Sequence, residues 1–229
     1  MSIADTTGTA VVHRHDVEWE DYCRLRDDPS NDHVRMTYLD GELTMSPLSR
    51  HDSKSRLLFL LVTTVAGVGE IDFLIIGTTT LRRQGRARRR GAGKEADEGF
   101  YLGADAARVR DNDDLDMAVD PPPSLAIEVD DTINSAGALP AYARIGVPEV
   151  WIYRARERSL WFGRLAGAGY EAIDRSLGLP RLTPALVLEA LEVLAGGMDD
   201  LDWLDWLDAW ARALPEPPEA DNLPDRPGV

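Results

Sequence analysis

The chain has 229 residues, enough for one domain with an ordinary core and a tail. Its 40 acidic residues outnumber its 25 basic ones, and the net charge of −15 argues against a general binder of nucleic acid or membrane surfaces. Cys23 is the single cysteine, which excludes an intrachain disulfide, and with no apolar run long enough to span a bilayer we expect a cytoplasmic protein without a membrane partner.

The N-terminal third predicts a helix and a hairpin. Residues 1–12 are small and polar and are expected to form a flexible leader. Apolar residues at helical spacing from Val17 to Leu25 predict a helix with Asp16 as its N-cap. Residues 34–47 predict a β-hairpin, because Asp40 and Gly41 suit a two-residue type I′ turn. Counting outward from that turn places Glu42 on the polar face, opposite a face formed by Met36, Tyr38, Leu43 and Met45.

The middle of the chain predicts a helix, two strands and a basic loop. The helix covers residues 52–65, with His51 at its start, and the strands cover 71–81 and 95–102. Asp97 lies in the second strand. The basic loop at residues 82–94 has seven positive charges and no acid, which is typical either of a solvated loop or of a contact with a phosphate backbone. Its candidate nucleic-acid-binding residues are Arg82, Arg83, Arg86, Arg88, Arg89, Arg90 and Lys94. Residues 104–120 are expected to be irregular.

A short apolar strand beginning at Leu125 carries two carboxylates, Glu128 and Asp130. Side chains alternate across a strand, so both acids point to the same face. Two neighbouring buried carboxylates repel each other and require a cation or a shared proton. The alternative is a hydrated strand end at which both acids are solvated.

The remaining chain predicts a helix at 139–145, an antiparallel meander of strands at 149–153, 160–165 and 170–173, and two closing helices. Trp203, Trp206 and Trp210 lie at helical spacing in the last helix, where they pack either within the chain or against a second copy in a homodimer. We expect residues 13–195 to form the main domain, 196–214 an acidic tryptophan-rich helix, and 215–229 a disordered tail.

Four motifs in order, LDGELTMSPLSRH (39–51), KEADEGFYL (94–102), PPPSLAIEVD (121–130) and YARIGVPEVWIY (142–153), resemble the Uma-two family of endonucleases. The resemblance covers residues 17–195. It implies the restriction-endonuclease-like α/β fold of the PD-(D/E)XK superfamily, with a central mixed β-sheet flanked by helices, an N-terminal hairpin and C-terminal helices.

The resemblance also implies a divalent metal site. Asp97 and Glu128 would hold the metal, and Glu42, His51 and Asp130 would complete the catalytic set. Carboxylate oxygens suit Mg²⁺ or Mn²⁺. The implied function is Mg²⁺-dependent hydrolysis of DNA phosphodiester bonds, with DNA as the partner.

One departure from the family pattern concerns the catalytic cation. Related chains often carry Lys or Arg where this chain has Ala138. The only lysines, Lys54 and Lys94, are candidate substitutes, as are Arg82 and Arg83. The alternative function is therefore a catalytically impaired member of the same fold that binds nucleic acid or metal.

Overall fold

The computed structural model describes residues 11–47, 52–112, 115–130 and 135–217. Its strands are β1 (Val12–Arg14), β2 (Val34–Leu39), β3 (Glu42–Pro47), β4 (Phe73–Ile75), β5 (Thr80–Gln84), β6 (Gly91–Glu95), β7 (Glu98–Leu102), β8 (Leu125–Asp130), β9 (Glu149–Arg154), β10 (Ser159–Ala166) and β11 (Gly169–Ala172). Its α-helices are α1 (Trp19–Arg26), α2 (Asp52–Val68), α3 (Ala104–Val109), α4 (Leu139–Ile145), α5 (Pro184–Ala195) and α6 (Asp200–Ala213).

The strands form two sheets. The first sheet has the order β1-β3-β2-β6-β5 and is antiparallel throughout, and the second has the order β11-β10-β9-β8-β7-β4. In the second sheet β8 and β9 are parallel and the other pairs are antiparallel, so this is the expected mixed sheet. The first sheet was not predicted as a separate layer.

Two predicted strands each divide between the sheets. The strand predicted at 95–102 breaks at Ala96 and Asp97, where the chain leaves β6 in the first sheet and enters β7 in the second. The strand predicted at 71–81 breaks into β4 and β5 near Gly77, whose φ of +54° is a left-handed conformation favoured by glycine. Both predictions of one continuous strand were wrong, because hydrophobic alternation does not reveal a change of pairing partner.

The predicted hairpin is confirmed in detail. Leu39 pairs with Glu42 and Met36 with Met45, the register counted from the sequence. Asp40 and Gly41 have φ values of +47° and +99°, as a type I′ turn requires. The apolar face packs against Trp19 and other residues of α1.

Several predicted boundaries near the hairpin were wrong. Strand β1 begins at Val12, the last residue of the predicted leader, and pairs with β3, whereas residues 1–10 lie outside the described residues. Helix α1 has Glu18 at its N-cap, whereas Asp16 lies in the preceding turn with a φ of +57°. Most of the basic loop is strand: β5 and β6 pair and leave a short turn between them. Helix α3 occupies part of the segment expected to be irregular.

The larger core lies on one face of the second sheet. Leu125, Ile127 and Val129 of β8 point into it, and helices α2, α5 and α6 contribute to the same core. Trp203 is fully buried there and donates its Nε1–H to the carbonyl of Ala190 at 3.0 Å. Helix α6 is therefore part of this core, and the predicted homodimer stays a prediction. Among the described residues, no helix combines the length and apolar character needed to cross a bilayer.

A smaller core joins the two sheets through α4. Leu81 and Ala92 enter it from the first sheet, and Ala126 and Ile152 enter it from the second. Helix α4 contributes buried residues, among them Tyr142, and ends at Gly146, whose φ is +98°. The face of β8 that carries Glu128 and Asp130 therefore meets α4 and the first sheet.

Gly93 of β6 provides a test of this packing. A Cβ atom at Gly93 would overlap the ring and hydroxyl of Tyr22, which is held by stacking on Tyr38 with centroids 4.8 Å apart. We expect Gly93→Ala to lower the free energy of unfolding by about 1–3 kcal/mol. Gly67→Ala in α2 is the matched control, because a Cβ there meets nothing within 4 Å, and it should stabilise by about 0.5–1 kcal/mol. Urea unfolding measures both changes, and equal stability of the two variants would contradict the packing described.

Candidate active site

Asp97 and Glu128 meet at the start of β7. Strands β7 and β8 are antiparallel with Glu98 opposite Ile127, so continuing the register by one residue sets Asp97 beside Glu128. The backbone N–H of Asp97 donates to the carbonyl of Ile127 at 3.1 Å. Asp97 Oδ2 accepts the backbone N–H of Val129 at 2.8 Å. The structure thus brings together the two acids expected to hold a metal.

The pKa of Asp97 reflects this crowding. Burial of the carboxyl, followed by the negative charge of Glu128, raises the pKa of Asp97 to about 6. The Val129 N–H, Lys94 and Arg35 act in the opposite direction without cancelling the rise. Two effects therefore disfavour the charged form of Asp97: its partial removal from water and its repulsion by a neighbouring carboxylate.

Lys94 supplies a cation to Glu128. It lies on β6, opposite Thr37 of β2 and Leu81 of β5, and is almost fully buried. Its Nζ lies 2.8 Å from Glu128 Oε1 and also donates to the carbonyl of Glu95. The ion pair therefore connects the first sheet to the second through buried side chains.

Tyr142 of α4 contacts both members of this ion pair. Its hydroxyl donates to Glu128 Oε1, and the centroid of its ring lies 5.5 Å from Lys94 Nζ. The residue is fully buried, and burial together with the Glu128 charge raises the pKa of its phenol far above the ordinary value. The phenol therefore stays protonated and acts as a hydrogen-bond donor.

Arg35 is the second cation of the site. Its Nη2 lies 3.4 Å from Asp97 Oδ1, and its Nη1 donates to the carbonyl of Ala96 at 3.3 Å. Thr37, two residues further along β2, faces the same side of the sheet as Arg35 and lies opposite Lys94. Each of the two acids is thus paired with its own basic side chain.

The other predicted site residues have different positions. Asp130 is buried at the end of β8, on the same face as Glu128. Glu42 is exposed at the turn of the hairpin and pairs with His15. His51 lies outside the described residues. Lys54 lies in the first turn of α2 and is partly buried.

The arginines of the basic segment are engaged by the chain itself. Arg88 pairs with Glu18, Arg89 with Asp16 and Arg90 with Asp40, at 2.6–2.8 Å. The other two engaged arginines are Arg82, which binds Asp27, and Arg83, which donates to the carbonyl of Ile145. Arg86 is exposed in the turn. The predicted role of this segment in nucleic-acid binding stays a prediction.

The acids fit a magnesium-like ion with few protein ligands. Within the described ranges, no group of three or more His, Cys, Asp or Glu side chains is placed to hold a metal. Mg²⁺ commonly binds through one or two carboxylates and keeps several waters. Asp97 and Glu128 provide two such carboxylates.

Sequence reasoning did not identify Arg35 and Tyr142, and it named Lys94 as a candidate nucleic-acid contact and as one of several substitute cations. Arg35 follows from the alternation of β2 only once the pairing of β2 with β6 is known. Tyr142 lies four residues after Ala138, so helical periodicity places both on one face of α4. That periodicity was the available signal for Tyr142.

The raised pKa of Asp97 predicts a pH-dependent cost to stability. Because the folded-state pKa of Asp97 lies above the ordinary 3.8, the folded protein favours the protonated carboxyl. The stability that this protonated carboxyl contributes is fully present below about pH 4 and is lost as the pH rises through about 6. Asp97→Asn keeps an acceptor for the Val129 N–H and removes the charge. We expect the stability of metal-free Asp97→Asn relative to wild type to increase by about 2 kcal/mol between pH 4 and pH 7. Urea unfolding at several pH values measures this difference, and a pH-independent difference would contradict it.

Comparisons with known proteins identify the family of the chain. The Uma2 family model, described as "Putative restriction endonuclease", matches residues 19–196. The chain is also similar to a crystal structure described as "a putative nuclease belonging to DUF820" from Anabaena variabilis ATCC 29413. The match covers 75% of this chain and 90% of that chain, with 13% identity and a TM-score of 0.39. No curated protein matches the chain. Because the family model spans most of the sequence, the chain belongs to the Uma2 family and has its restriction-endonuclease-like α/β fold.

Proposed function

We propose that this protein is a Mg²⁺-dependent endonuclease that hydrolyses DNA phosphodiester bonds. The observation that carries the proposal is the pair of adjacent carboxylates, Asp97 and Glu128, with the Lys94 ammonium 2.8 Å from Glu128. Phosphodiester hydrolysis requires acids that hold a metal and a cation that stabilises the charge of the transition state. Two neighbouring acids and a buried lysine in one site provide these groups. Membership of the Uma2 family supports the same class of reaction.

Asp97 and Glu128 would each give carboxylate oxygen to the metal. When bound, Mg²⁺ supplies a water of lowered pKa and polarises a phosphoryl oxygen. Asp97 must be ionised to act as a ligand, and the backbone N–H of Val129 orients its carboxylate. Asp130 lies on the same face of β8 as Glu128 and is the third acid of this region.

Lys94 would stabilise the negative charge that develops on the phosphate in the transition state. A fixed cation stabilises the charge of a transition state far more strongly in a site that excludes water than in solvent. Lys94 Nζ meets this condition, because it is buried and held by Glu128 and the Glu95 carbonyl. Arg35, which is partly exposed beside Asp97, would provide a second positive charge facing the substrate.

The impaired-member alternative rests on Ala138. That alternative assumes that the site has no cation when residue 138 is alanine. Lys94 provides a cation from β6, so the assumption does not hold. We therefore favour an active nuclease over a binding module. A protein that binds Mn²⁺ and DNA without cleaving either strand would restore the alternative.

DNA binding would use the arginines around the β5–β6 turn. Arg88 and Arg89 are half or more exposed and pair with acids at the surface. Exposed ion pairs contribute only about 0–1 kcal/mol each, so a phosphate backbone can compete for these arginines. Such binding should weaken strongly as salt concentration rises.

The proposal is tested by plasmid nicking with Mg²⁺ or Mn²⁺. We expect wild-type protein to nick the plasmid and Glu128→Ala to lose at least about 100-fold in rate, because the variant lacks a ligand for the metal. EDTA should abolish the wild-type activity. Glu171→Ala is the matched control, because its exposed carboxylate pairs with Arg164 on the neighbouring strand. Equal nicking by wild type and Glu128→Ala would rule out this site as the source of activity.

The role of Lys94 is tested against Lys54, the other lysine of the chain. We expect Lys94→Met to reduce kcat by about 100-fold or more, the cost typical of removing one preorganised charge-stabilising group. Lys54→Met should retain wild-type kcat. Circular dichroism must confirm that both variants are folded. Loss of activity in Lys54→Met alone would transfer the role to Lys54.

A further inference from the structure

We propose that Tyr142 is the positioning residue of the site, fixing the Glu128 carboxylate with its hydroxyl and the Lys94 ammonium with its ring. The inference rests on the proposed function, because it concerns how the metal-binding acid and the catalytic cation are held. Tyr142 would act through these two residues and not by touching the substrate, since it is fully buried.

The hydroxyl fixes one oxygen of the acid. Tyr142 Oη donates to Glu128 Oε1, the same oxygen that lies 2.8 Å from Lys94 Nζ. Two donors on Oε1 restrict rotation of the carboxylate about its last torsion. With that torsion restricted, the position of the second oxygen, Oε2, is fixed as well.

The ring acts on the lysine. Lys94 Nζ lies 5.5 Å from the centroid of the Tyr142 ring, within the range of a cation–π interaction. Removing an ammonium from water is costly, and the aromatic face replaces part of the lost hydration. With Glu128 and the Glu95 carbonyl, the ring completes a set of three contacts that hold the ammonium in one place.

Ordinary core packing would not require this arrangement. Two other tyrosines of the domain, Tyr101 and Tyr170, donate their hydroxyls to backbone carbonyls of Pro121 and Val147 at 2.8 and 2.6 Å. Tyr142 donates instead to a charged side chain that is itself paired with a buried lysine. Phenylalanine would fill the same space, so the hydroxyl serves the polar group and not the packing.

Helix α4 gives Tyr142 a fixed position relative to both sheets. Its buried residues pack against Ala92 of the first sheet and Ala126 of the second. Tyr142 therefore holds Lys94 of the first sheet and Glu128 of the second in a constant relation. Partners of metal ligands commonly contribute about 10–100-fold to metal affinity.

The hydroxyl is tested by Mn²⁺ titration of the full chain at pH 7.5, followed by electron paramagnetic resonance. We expect Tyr142→Phe to weaken Mn²⁺ binding by about 10-fold or more, and Glu128→Ala to abolish it. Tyr170→Phe is the matched control, because it also removes one tyrosine hydroxyl bonded beside α4, and it should retain wild-type affinity. Thermal unfolding should show a cooperative transition for both Phe variants, which confirms that both are folded.

The ring is tested by nuclear magnetic resonance with ¹³C-labelled lysine. Lys54 and Lys94 are the only lysines of the chain, so the spectrum has two sets of lysine signals. The set that disappears in Lys54→Met belongs to Lys54, and the other belongs to Lys94. We expect the Lys94 side-chain protons to be shifted upfield by the aromatic ring in wild type and in Tyr142→Phe. Tyr142→Leu should lose this shift.

The outcomes separate the two proposals. Wild-type Mn²⁺ affinity in Tyr142→Phe would overturn the positioning role and leave the nuclease proposal standing. Absence of Mn²⁺ binding by wild type would overturn the proposed function itself. An unshifted Lys94 signal in wild type would overturn the role of the ring, even if the substituted proteins failed to fold.

Discussion

The ion pair between Lys94 and Glu128 is the contact on which the arrangement of this domain depends. Lys94 belongs to the first sheet and Glu128 to the second, and both side chains are buried with Nζ and Oε1 2.8 Å apart. A buried pair gains little net stability, but removing one partner typically costs about 3–5 kcal/mol, because a charge is left uncompensated. The two sheets must therefore keep their relative positions if either charge is to stay buried and paired. Helix α4 packs against both sheets and maintains that relation.

Charge balance explains how a chain with a net charge of −15 can bury these acids. Glu128 has Lys94, and Asp97 has Arg35 at 3.4 Å, so the local site contains equal numbers of acids and bases in these two pairs. The balance is incomplete at Asp97, whose pKa is raised to about 6 by burial and by Glu128. A divalent cation held by the two acids, as we propose, would relieve this repulsion. Burial also raises the pKa of Glu149, but no second carboxylate contributes to that rise, and Trp151 Nε1, Ser176 Oγ and backbone N–H groups donate to its carboxylate, so Glu149 serves the fold.

The sequence was sufficient for the parts of the fold that depend on local signals. The hairpin follows from Asp40 and Gly41, and β8, α4 and the meander β9–β11 follow from periodicity and turn residues. The pairing of distant strands is nonlocal, and this is why the division of the chain between two sheets at Ala96 and Asp97 was not predicted. The meeting of Asp97 with Glu128 was expected from family motifs, whereas Lys94, Arg35 and Tyr142 required the pairing of β6 with β2 and the packing of α4. The basic segment likewise has seven positive charges in sequence, but its acidic partners Asp16, Glu18 and Asp40 come from elsewhere in the chain.

The position of the lysine follows from the geometry around α4. Ala138 is the N-cap residue of this helix, and it is buried in the same cluster as Tyr142, four residues later. A long basic side chain at position 138 would lie on the Tyr142 face of the helix and enter the region already occupied by the Lys94 ammonium. A second buried cation beside the Lys94 ammonium would be repelled by it and would itself have to leave water, at a cost of several kcal/mol. Alanine at 138 and lysine at 94 are therefore mutually consistent, because the small side chain leaves the space and the carboxylate to an ammonium that arrives from the first sheet.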